Sequence, residues 1–420
     1  MDYRSNKDPL MAAMVLRCGK TRKRHMKNIR ISPAVFVLAF LFLCGSFGRA
    51  LGADVEVISS QTPWRVFLTL TPTITRVNGK PAGVNRNDDG ETSPPPSPAS
   101  PLPPVDWMEP QFDDSGWGRY REDLFEMIGG YGIEVGGGTR SGVWPALLCL
   151  RTRFGVTDPA KASDLKLSLT HLGGAIVYVN GREVARCHIP SGRIEPVTLA
   201  NDYPPAAYVL VDGRTPLPRL QGSNAPNECR DRYEQRIRKL NVTLPREALV
   251  RGGNVLAIEL HQAAVVPPAG VGADWSHVGV REIQLTSRSG GGAIPYAQAV
   301  NGLLVWNAWP METIADRRVE QFRFAGWKHA PSGIGAPLKG LSVGNPFDPL
   351  RPVRMAAPRG GVCSGQVVLT DFSGLKDVSA ELGPLTGPGG AEIPANAVQL
   401  RYAVQPEKIH YCDVLTEDPV

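Results

Sequence analysis

The stretch from Leu147 to Pro190 constrains the fold more than any other part of the chain. Leu165, Leu167 and Leu169 alternate with polar residues, the period of two that is typical of a strand with one buried face. Asn180-Gly181 then separates two β-prone runs. This dipeptide is the strongest short-range hairpin signal, because a type I′ turn needs positive φ at both central residues. The stretch therefore predicts antiparallel β-structure.

The rest of the chain has the same character. Its 420 residues suffice for two or three domains, and 45 Gly with 38 Pro favour short strands and many turns over long helices. We expect an all-β chain: a β-sandwich over residues 54–287, a connector with some β-structure over 288–350, and a second β-sandwich unit over 351–420. That second unit shows only about four strands, few for an independent sandwich, so we expect it to be truncated. The Pro-rich insertion at 85–104 is expected to form an exposed, extended loop.

Residues 1–53 have the layout of a secretory signal peptide. A basic segment precedes the apolar run from Pro33 to Cys44, and small residues follow up to Ala53. The run is short for a membrane span, so cleavage is expected, with an uncleaved single-pass anchor as the alternative. Met26 is a second candidate start, which would make the preceding residues an upstream extension. The chain is therefore expected to be secreted, periplasmic or at the cell surface.

The charge distribution argues against nucleic-acid binding. Residues 1–53 hold ten basic and two acidic residues, a net of +8, so the remainder carries −2 of the overall +6. A nucleic-acid-binding domain is expected to carry its basic patch on the folded body. Beyond the leader there are five widely spaced cysteines, Cys149, Cys187, Cys229, Cys363 and Cys412, with no CxxC pair. Their number and spacing predict neither a zinc site nor a dense disulfide framework, and leave their disulfide state open.

Four motifs occur in an order that resembles a known family. They are FDDSGW, LRTRFGVTD, LSLTHLGGAIVYVNGREVAR and GGNVLAIELHQ. Together they resemble the galactose-binding-like jelly roll that precedes the barrel in β-galactosidase-type glycoside hydrolases and recurs in large secreted proteins of planctomycete-like bacteria. The resemblance covers roughly residues 60–287. Residues 351–404 are similar to the N-terminal β-unit ahead of an uncharacterised glycoside-hydrolase-like region. The resemblance implies an antiparallel jelly-roll β-sandwich followed by that truncated second unit.

The sequence shows no catalytic constellation. Glycoside hydrolysis needs two carboxylates held apart across the bond, whereas Asp113 and Asp114 are adjacent and are expected to serve a turn. Serine-hydrolase elbows, HExxH motifs and phosphate loops are absent from the sequence. His171 and His261 are expected at strand ends, and no metal site or cofactor is predicted. Enzyme activity is left open, and any glycoside hydrolase activity is expected to lie beyond residue 420.

Sugars stack on exposed aromatic rings that have polar neighbours. The aromatic residues in predicted loops are Tyr131, Trp144 and Trp275, and these are the candidate carbohydrate-binding residues. By contrast, we expect the other prominent aromatics to pack, namely Trp64, Trp107, Trp117 and Tyr178. The favoured function is a non-catalytic module that binds or positions polysaccharide for a larger glycoside-hydrolase-like protein. The alternative is a structural or adhesion protein without a sugar ligand; the sugar and the oligomeric state stay open.

Overall fold

The computed structural model describes residues 12–20, 54–58, 62–72, 74–84, 92–93, 97–120, 143–162, 164–215, 231–232, 234–264, 278–288, 291–308, 344–351, 353, 361–371, 378–387, 390–404 and 414–416. In chain order the strands are β1 (Ala12–Lys20), β2 (Val55–Ile58), β3 (Trp64–Pro72), β4 (Ile74–Val77), β5 (Lys80–Val84), β6 (Thr92–Ser93), β7 (Gly118–Tyr120), β8 (Val143–Val156), β9 (Leu165–Leu172), β10 (Gly174–Val179), β11 (Arg182–Cys187), β12 (Arg238–Thr243), β13 (Gly252–His261), β14 (Gly279–Ser287), β15 (Leu304–Ala308), β16 (Cys363–Asp371), β17 (Leu385–Thr386), β18 (Glu392–Ile393), β19 (Val398–Val404) and β20 (Val414–Thr416). One short helix, α1 (Tyr296–Ala299), and 3-10 turns at Pro205–Ala207, Arg246–Ala248 and Ala395–Ala397 complete the described elements.

Two antiparallel sheets form a β-sandwich, which confirms the predicted fold class. The six-stranded sheet has the order β11-β10-β13-β8-β3-β7, and the four-stranded sheet has the order β12-β9-β14-β2. Alternation decides which side chains meet between them: Leu165, Leu167 and Leu169 of β9 pack in one cluster with Leu256 and Ile258 of β13. Burial of this apolar layer is the main stabilising contribution to the sandwich.

The predicted hairpin is present with the predicted turn. β10 and β11 pair through Val179 and Arg182, and the two residues between them, Asn180 and Gly181, have φ of 51° and 82°. Both values lie in the left-handed region that a type I′ turn requires. Gly181 also faces Glu109, whose carboxylate would lie 2.5 Å from an added Cβ. The position therefore needs glycine for its conformation and for its close contact.

The outer face of the six-stranded sheet is covered as well, by loops. Trp107 is buried against Leu147 and Cys149 of β8 and against Val255 and Ala257 of β13, with Met108, Phe112 and Trp117 packed around this cluster. On the β10 side, Tyr203 and Tyr208 cover Ile176. Because both faces are covered, all residues of β13 from Asn254 to His261 are buried. Trp64, by contrast, lies in the core between the sheets, so the aromatics predicted to pack do so.

The described parts of the Pro-rich insertion are attached to the sandwich by backbone hydrogen bonds. Thr92–Ser93 forms strand β6 beside β5, and the end of the insertion docks on β3. There, Ala99 N–H donates to Leu70 O at 2.7 Å, and Leu70 N–H donates to Ser100 Oγ at 2.8 Å. The edge of β3 beyond β7 offers unpaired backbone groups, and these bonds satisfy them. This part of the insertion is therefore held to the sandwich instead of extending into solvent.

A further sheet has the order β15-β16-β1-β19-β20. β15 lies in the stretch predicted as a connector, and β1 pairs in parallel with both β16 and β19. The parallel pairs distinguish this sheet from the two antiparallel sheets of the sandwich. The apolar run from Pro33 to Cys44, on which the signal-peptide prediction depends, lies outside the described residues. Within the described ranges, no helix is long and apolar enough to cross a membrane.

Candidate functional site

A group of buried arginines lies on the outer face of the six-stranded sheet. Arg151 and Arg153 follow Leu147 and Cys149 at every second position of β8, and Arg65 of β3 pairs with Arg151 in register. Arg119 of β7 pairs with Arg65 in turn. We call Arg65, Arg119, Arg151 and Arg153 the arginine cluster; Arg119, Arg151 and Arg153 are buried. Buried cations require carboxylates or other acceptors, because desolvation of an unpaired charge is costly.

Asp114 supplies the first carboxylate. Its Oδ2 accepts hydrogen bonds from Arg151 Nε at 2.9 Å and from Arg153 Nη1 at 3.2 Å. Burial raises the pKa of this carboxyl, but the charges of Arg153 and Arg151 more than offset burial, so the pKa lies below its ordinary value. The sequence predicted a turn role for Asp113 and Asp114. Both residues serve the turn: Asp113 Oδ1 accepts from Ser115 N–H at 3.2 Å, and Asp114 O accepts from Trp117 N–H at 3.0 Å. The side chain of Asp114 in addition anchors the loop to Arg151 and Arg153.

The segment 344–351 supplies the second carboxylate. Asp348 accepts a hydrogen bond from Arg153 Nη1 at 3.1 Å and lies 3.7 Å from Arg119 Nη2. Asn345 donates to Thr152 Oγ1 at 3.0 Å and to the backbone oxygen of Arg153 at 2.9 Å. The guanidinium of Arg119 lies 4.4 Å from the ring centroid of Trp306 in β15. The arginine cluster therefore ties the sandwich to β15 and to the segment 344–351.

An open notch lies beside the arginine cluster. It contains about 390 Å³ of empty space, including solvent at its mouth, and leaves room for one water-sized group between the side chains. Three arginines line it, Arg65, Arg119 and Arg351, together with Ser115, Trp306 and Asn307, and Asp114 and Asp348 form its acidic wall. Arg351 also lies 3.4 Å from Asp113 Oδ1. Among the described residues, Val305, Pro349 and Leu350 complete the lining, so the notch is small and of mixed polar and apolar character.

Polar side chains from the other motifs cross-link the strands. Asn180 Nδ2 donates to Asn254 Oδ1 and to Ala248 O, both at 2.9 Å, and Asn180 Oδ1 accepts from Val255 N–H at 2.8 Å. Asn254 in turn bonds the backbone of Val250 through both its amide atoms, at 2.8 Å each. These bonds fix the β10–β11 hairpin to β13 and the turn before it, so this part of the motif set has a structural role.

A second polar group lies further along the outer face, around Glu259. Tyr178 Oη donates to Glu259 Oε2 at 2.9 Å, and Glu259 Oε1 lies 3.1 Å from Nε2 of His261. His261 Nδ1 lies 2.8 Å from Thr198 O. Burial, with the neighbouring Glu259 charge, raises the pKa of the Tyr178 hydroxyl and of the Cys149 thiol. His261 is the last residue of β13, as predicted, and its partners are structural groups of this chain.

His171 lies near the end of β9, as predicted, and is fully buried. Burial, and next the charge of Arg238, lower its pKa to about 4, so its ring is neutral at neutral pH. Arg238 donates to Gly173 O at 3.0 Å and lies 4.1 Å from the centroid of the Tyr203 ring. The described residues contain no group of histidines, cysteines and carboxylates able to hold a metal ion.

The three candidate sugar-binding aromatics fall in different places. Trp144 was predicted in a loop, but it lies in β8, opposite Thr71 of β3. Pro145 beside it reads as a strand breaker in the sequence, but the register shifts between Thr69 and Leu70 of β3, and this irregularity accommodates the proline. Tyr131 and Trp275 lie outside the described residues, so their prediction as binding residues stays a prediction.

The described residues that flank Trp144 and Trp275 lie at one end of the six-stranded sheet. β8 begins there at Val143, beside the end of β3 at Pro72, and β13 ends there at His261. We call this the Val143 end. The segment that contains Trp275 follows β13 at the Val143 end and rejoins the described chain at Val278. Val278 lies beside Gly173, near the backbone of His261. The segment that contains Tyr131 leaves β7 at Tyr120, opposite Trp64, and enters this end at β8.

Comparison with known proteins gives weak similarities only. No protein-family profile and no curated protein matches the sequence. Among solved structures, a Bacteroides uniformis β-glucuronidase is 14% identical over 50% of this chain and 19% of its own, with a TM-score of 0.23. A Bacteroides vulgatus β-glycosidase is 13% identical over 62% of this chain and 23% of its own, with a TM-score of 0.26. A glycosyl hydrolase family 2 member from Bacteroides cellulosilyticus is 13% identical over 51% of this chain and 22% of its own, with a TM-score of 0.24.

This chain therefore spans about a fifth of the length of these three structures. Likeness at this level says nothing about what this chain binds or does.

Proposed function

We propose that this chain is a secreted, non-catalytic β-sandwich module that binds or positions polysaccharide for a larger glycoside-hydrolase-like protein. The proposal rests first on the four motifs that resemble the galactose-binding-like jelly roll. One observation supports that resemblance most: the motifs contact one another. Asp114 of FDDSGW bonds Arg151 and Arg153 of LRTRF, while Asn180 of VNG bonds Asn254 of GGN. Motifs that are distant in sequence thus form joint polar contacts within one sandwich.

The carboxylates at these contacts support a non-catalytic role. A glycosidase needs an acid that holds its proton near neutral pH and a second carboxylate across the scissile bond. Asp114 instead has a lowered pKa and is occupied by two arginines, and Glu259 is occupied by Tyr178 and His261. Both carboxylates are thus engaged in contacts within the chain, which supports a structural role for them in a binding module.

We place the proposed sugar-binding site at the Val143 end. Trp144 lies at this end, and the segment with Trp275 leaves and rejoins the sandwich there. Loops at the end of a rigid sandwich are a common place for ligand binding, because the sheets fix the positions of their anchors. We infer that Tyr131, Trp144 and Trp275 offer aromatic faces to a sugar chain at this end.

Affinity electrophoresis of the full chain through gels that contain plant, algal or bacterial polysaccharides tests this function. Retardation on at least one polysaccharide is expected. Trp144→Ala should reduce it at least tenfold, while the conservative Trp144→Phe retains most of it, because a ring still stacks on the sugar. Thermal unfolding of each variant shows whether it is folded. Unretarded migration of the wild type on every polysaccharide would favour a structural or adhesion role instead.

A further inference from the structure

The sheet that contains β15 has a strand of the predicted leader at its centre. β1 lies between β16 and β19 and runs parallel to both. It pairs with β16 over nine residues, from Ala12 opposite Cys363 to Lys20 opposite Asp371, and with β19 over six. β16 and β19 are not neighbours in this sheet, so β1 is the strand that joins them. We call the space between β16 and β19 the strand slot.

The neighbours of β1 define what fits the strand slot. Adjacent strands of a sheet lie about 4.8 Å apart, and β16 and β19 are separated by twice that spacing, the room that one strand needs. Val368 of β16 lies opposite Arg17 and is buried. Tyr402 of β19 lies opposite Leu16 and is buried too. β1 itself begins with the apolar run AAMVL, which is typical of a strand paired on both sides in a parallel arrangement. The strand slot therefore fits an extended, apolar segment.

Each interpretation of the leader separates β1 from the rest of the chain on export. Cleavage at or before Ala53 severs β1 from the sandwich. In an uncleaved anchor, the basic segment before the apolar run stays on the cytoplasmic side, so residues 12–20 and 54–420 lie on opposite sides of the membrane. A start at Met26 omits β1 altogether. In an exported protein, β1 therefore cannot occupy the strand slot.

We propose that the strand slot of the exported protein binds an apolar β-strand of a second polypeptide, which lies parallel to β16 and β19 and takes the place of β1. This inference rests on the secretion proposed above. The backbone groups of β16 and β19 that pair with β1 need partners, and an added strand supplies them through its own backbone. β15 and β20 already occupy the outer sides of β16 and β19. A strand joined to β16 or β19 by a short turn would run antiparallel, so the parallel direction favours a strand from elsewhere.

A synthetic peptide of residues 11–21, MAAMVLRCGKT, is the probe for the strand slot. It carries a fluorescent label and is used under reducing conditions, because it contains Cys18. The full coding sequence is expressed in a secreting host, and the exported protein is expected to bind the peptide saturably in fluorescence anisotropy. A peptide with Val15→Pro and Leu16→Pro should bind at least tenfold more weakly. Successive residues of a strand bond to opposite neighbours, so the two prolines remove a donor on each side.

The full chain, produced without export, provides the matched comparison. Val15→Pro with Leu16→Pro in this chain should increase peptide binding at least tenfold, because β1 no longer fills the strand slot. Asn6→Pro with Lys7→Pro, outside β1, should leave binding as in the wild type. Hydrogen exchange shows whether the sheet of the β1 variant is intact: β16 and β19 should exchange faster than in the wild type, and the peptide should restore their protection.

An exported protein that does not bind the peptide would overturn the proposal, as would equal peptide binding by the full-length wild type and its β1 variant. Peptide binding that leaves the exchange of β16 and β19 unchanged would also overturn it, because the peptide would then lie elsewhere. Retention of the chain inside the secreting host would instead contradict the proposed secretion, and the β1 variant would still test the strand slot.

Discussion

The adjacent residues Asp113 and Asp114 allow a direct test of the buried ion pairs on the outer face of the six-stranded sheet. The perturbation is Asp114→Asn, compared with Asp113→Asn. The Asp114 carboxylate is 5% exposed and bonds two buried arginines, whereas that of Asp113 is 32% exposed and lies 3.4 Å from Arg351. Removing one partner of a buried ion pair costs about 3–5 kcal/mol, because the remaining charge stays buried and uncompensated. A partly exposed pair contributes about 0–1 kcal/mol.

The assay is urea unfolding of the full chain, followed by tryptophan fluorescence at neutral pH. We expect the free energy of unfolding to fall by about 3 kcal/mol or more in Asp114→Asn and by less than about 1 kcal/mol in Asp113→Asn. The pKa of Asp114 is lower in the folded than in the unfolded protein. Its contribution is therefore present above the unfolded pKa and is lost as the pH falls through the folded pKa. Equal losses in the two variants would refute the ion-pair anchor.

Three further predictions concern His171, Gly181 and Cys149. The pKa of His171 is about 4 in the folded protein, below its ordinary value of 6.5, so folding favours the neutral ring. The free energy of unfolding should therefore fall by about 3 kcal/mol as the pH drops from 6.5 to 4, and this part of the pH dependence should be absent in His171→Gln. In urea unfolding, Gly181→Ala should lower the free energy of unfolding by about 1 kcal/mol more than Gly213→Ala does. Both positions have positive φ, but only at Gly181 would an added Cβ lie within 3 Å of a carboxylate, that of Glu109. Equal losses in the two variants would mean that the Glu109 contact is unimportant. Cys149 is a fully buried free thiol, and burial raises its pKa, so it should not react with a disulfide reagent in the native protein. Cys149→Ser should therefore leave the number of reactive thiols unchanged in the native protein and lower that number by one in denaturant.

Local signals in the sequence predicted the parts of the fold that depend on local chemistry. Asn180-Gly181 predicted its hairpin because the turn conformation belongs to those two residues. Asn78-Gly79 carries the same signal and forms the same kind of turn between β4 and β5, with φ of 50° and 76°, although it was not predicted. The alternation of Leu165, Leu167 and Leu169 likewise gave the buried face of β9.

The remaining features depend on contacts between distant parts of the chain. Asp114 resembles its neighbour Asp113 in sequence, and only the fold of the loop brings it to Arg151, 37 residues further on. A signal was present nonetheless, because Arg151 and Arg153 alternate on a strand that is otherwise apolar and so required a buried partner. Trp144 was assigned to a loop, and the irregular pairing with β3 that keeps Trp144 and Pro145 in a strand has no local signature in the sequence.

The proposed function is that this chain binds polysaccharide without cleaving it. The most direct measurement incubates the full chain with each polysaccharide that retards it, and follows bound protein and released reducing ends in the same sample. We expect saturable binding with no release of reducing ends above the polysaccharide alone, for the wild type and for Asp114→Asn alike. Release of reducing ends by the wild type, lost in Asp114→Asn, would contradict it.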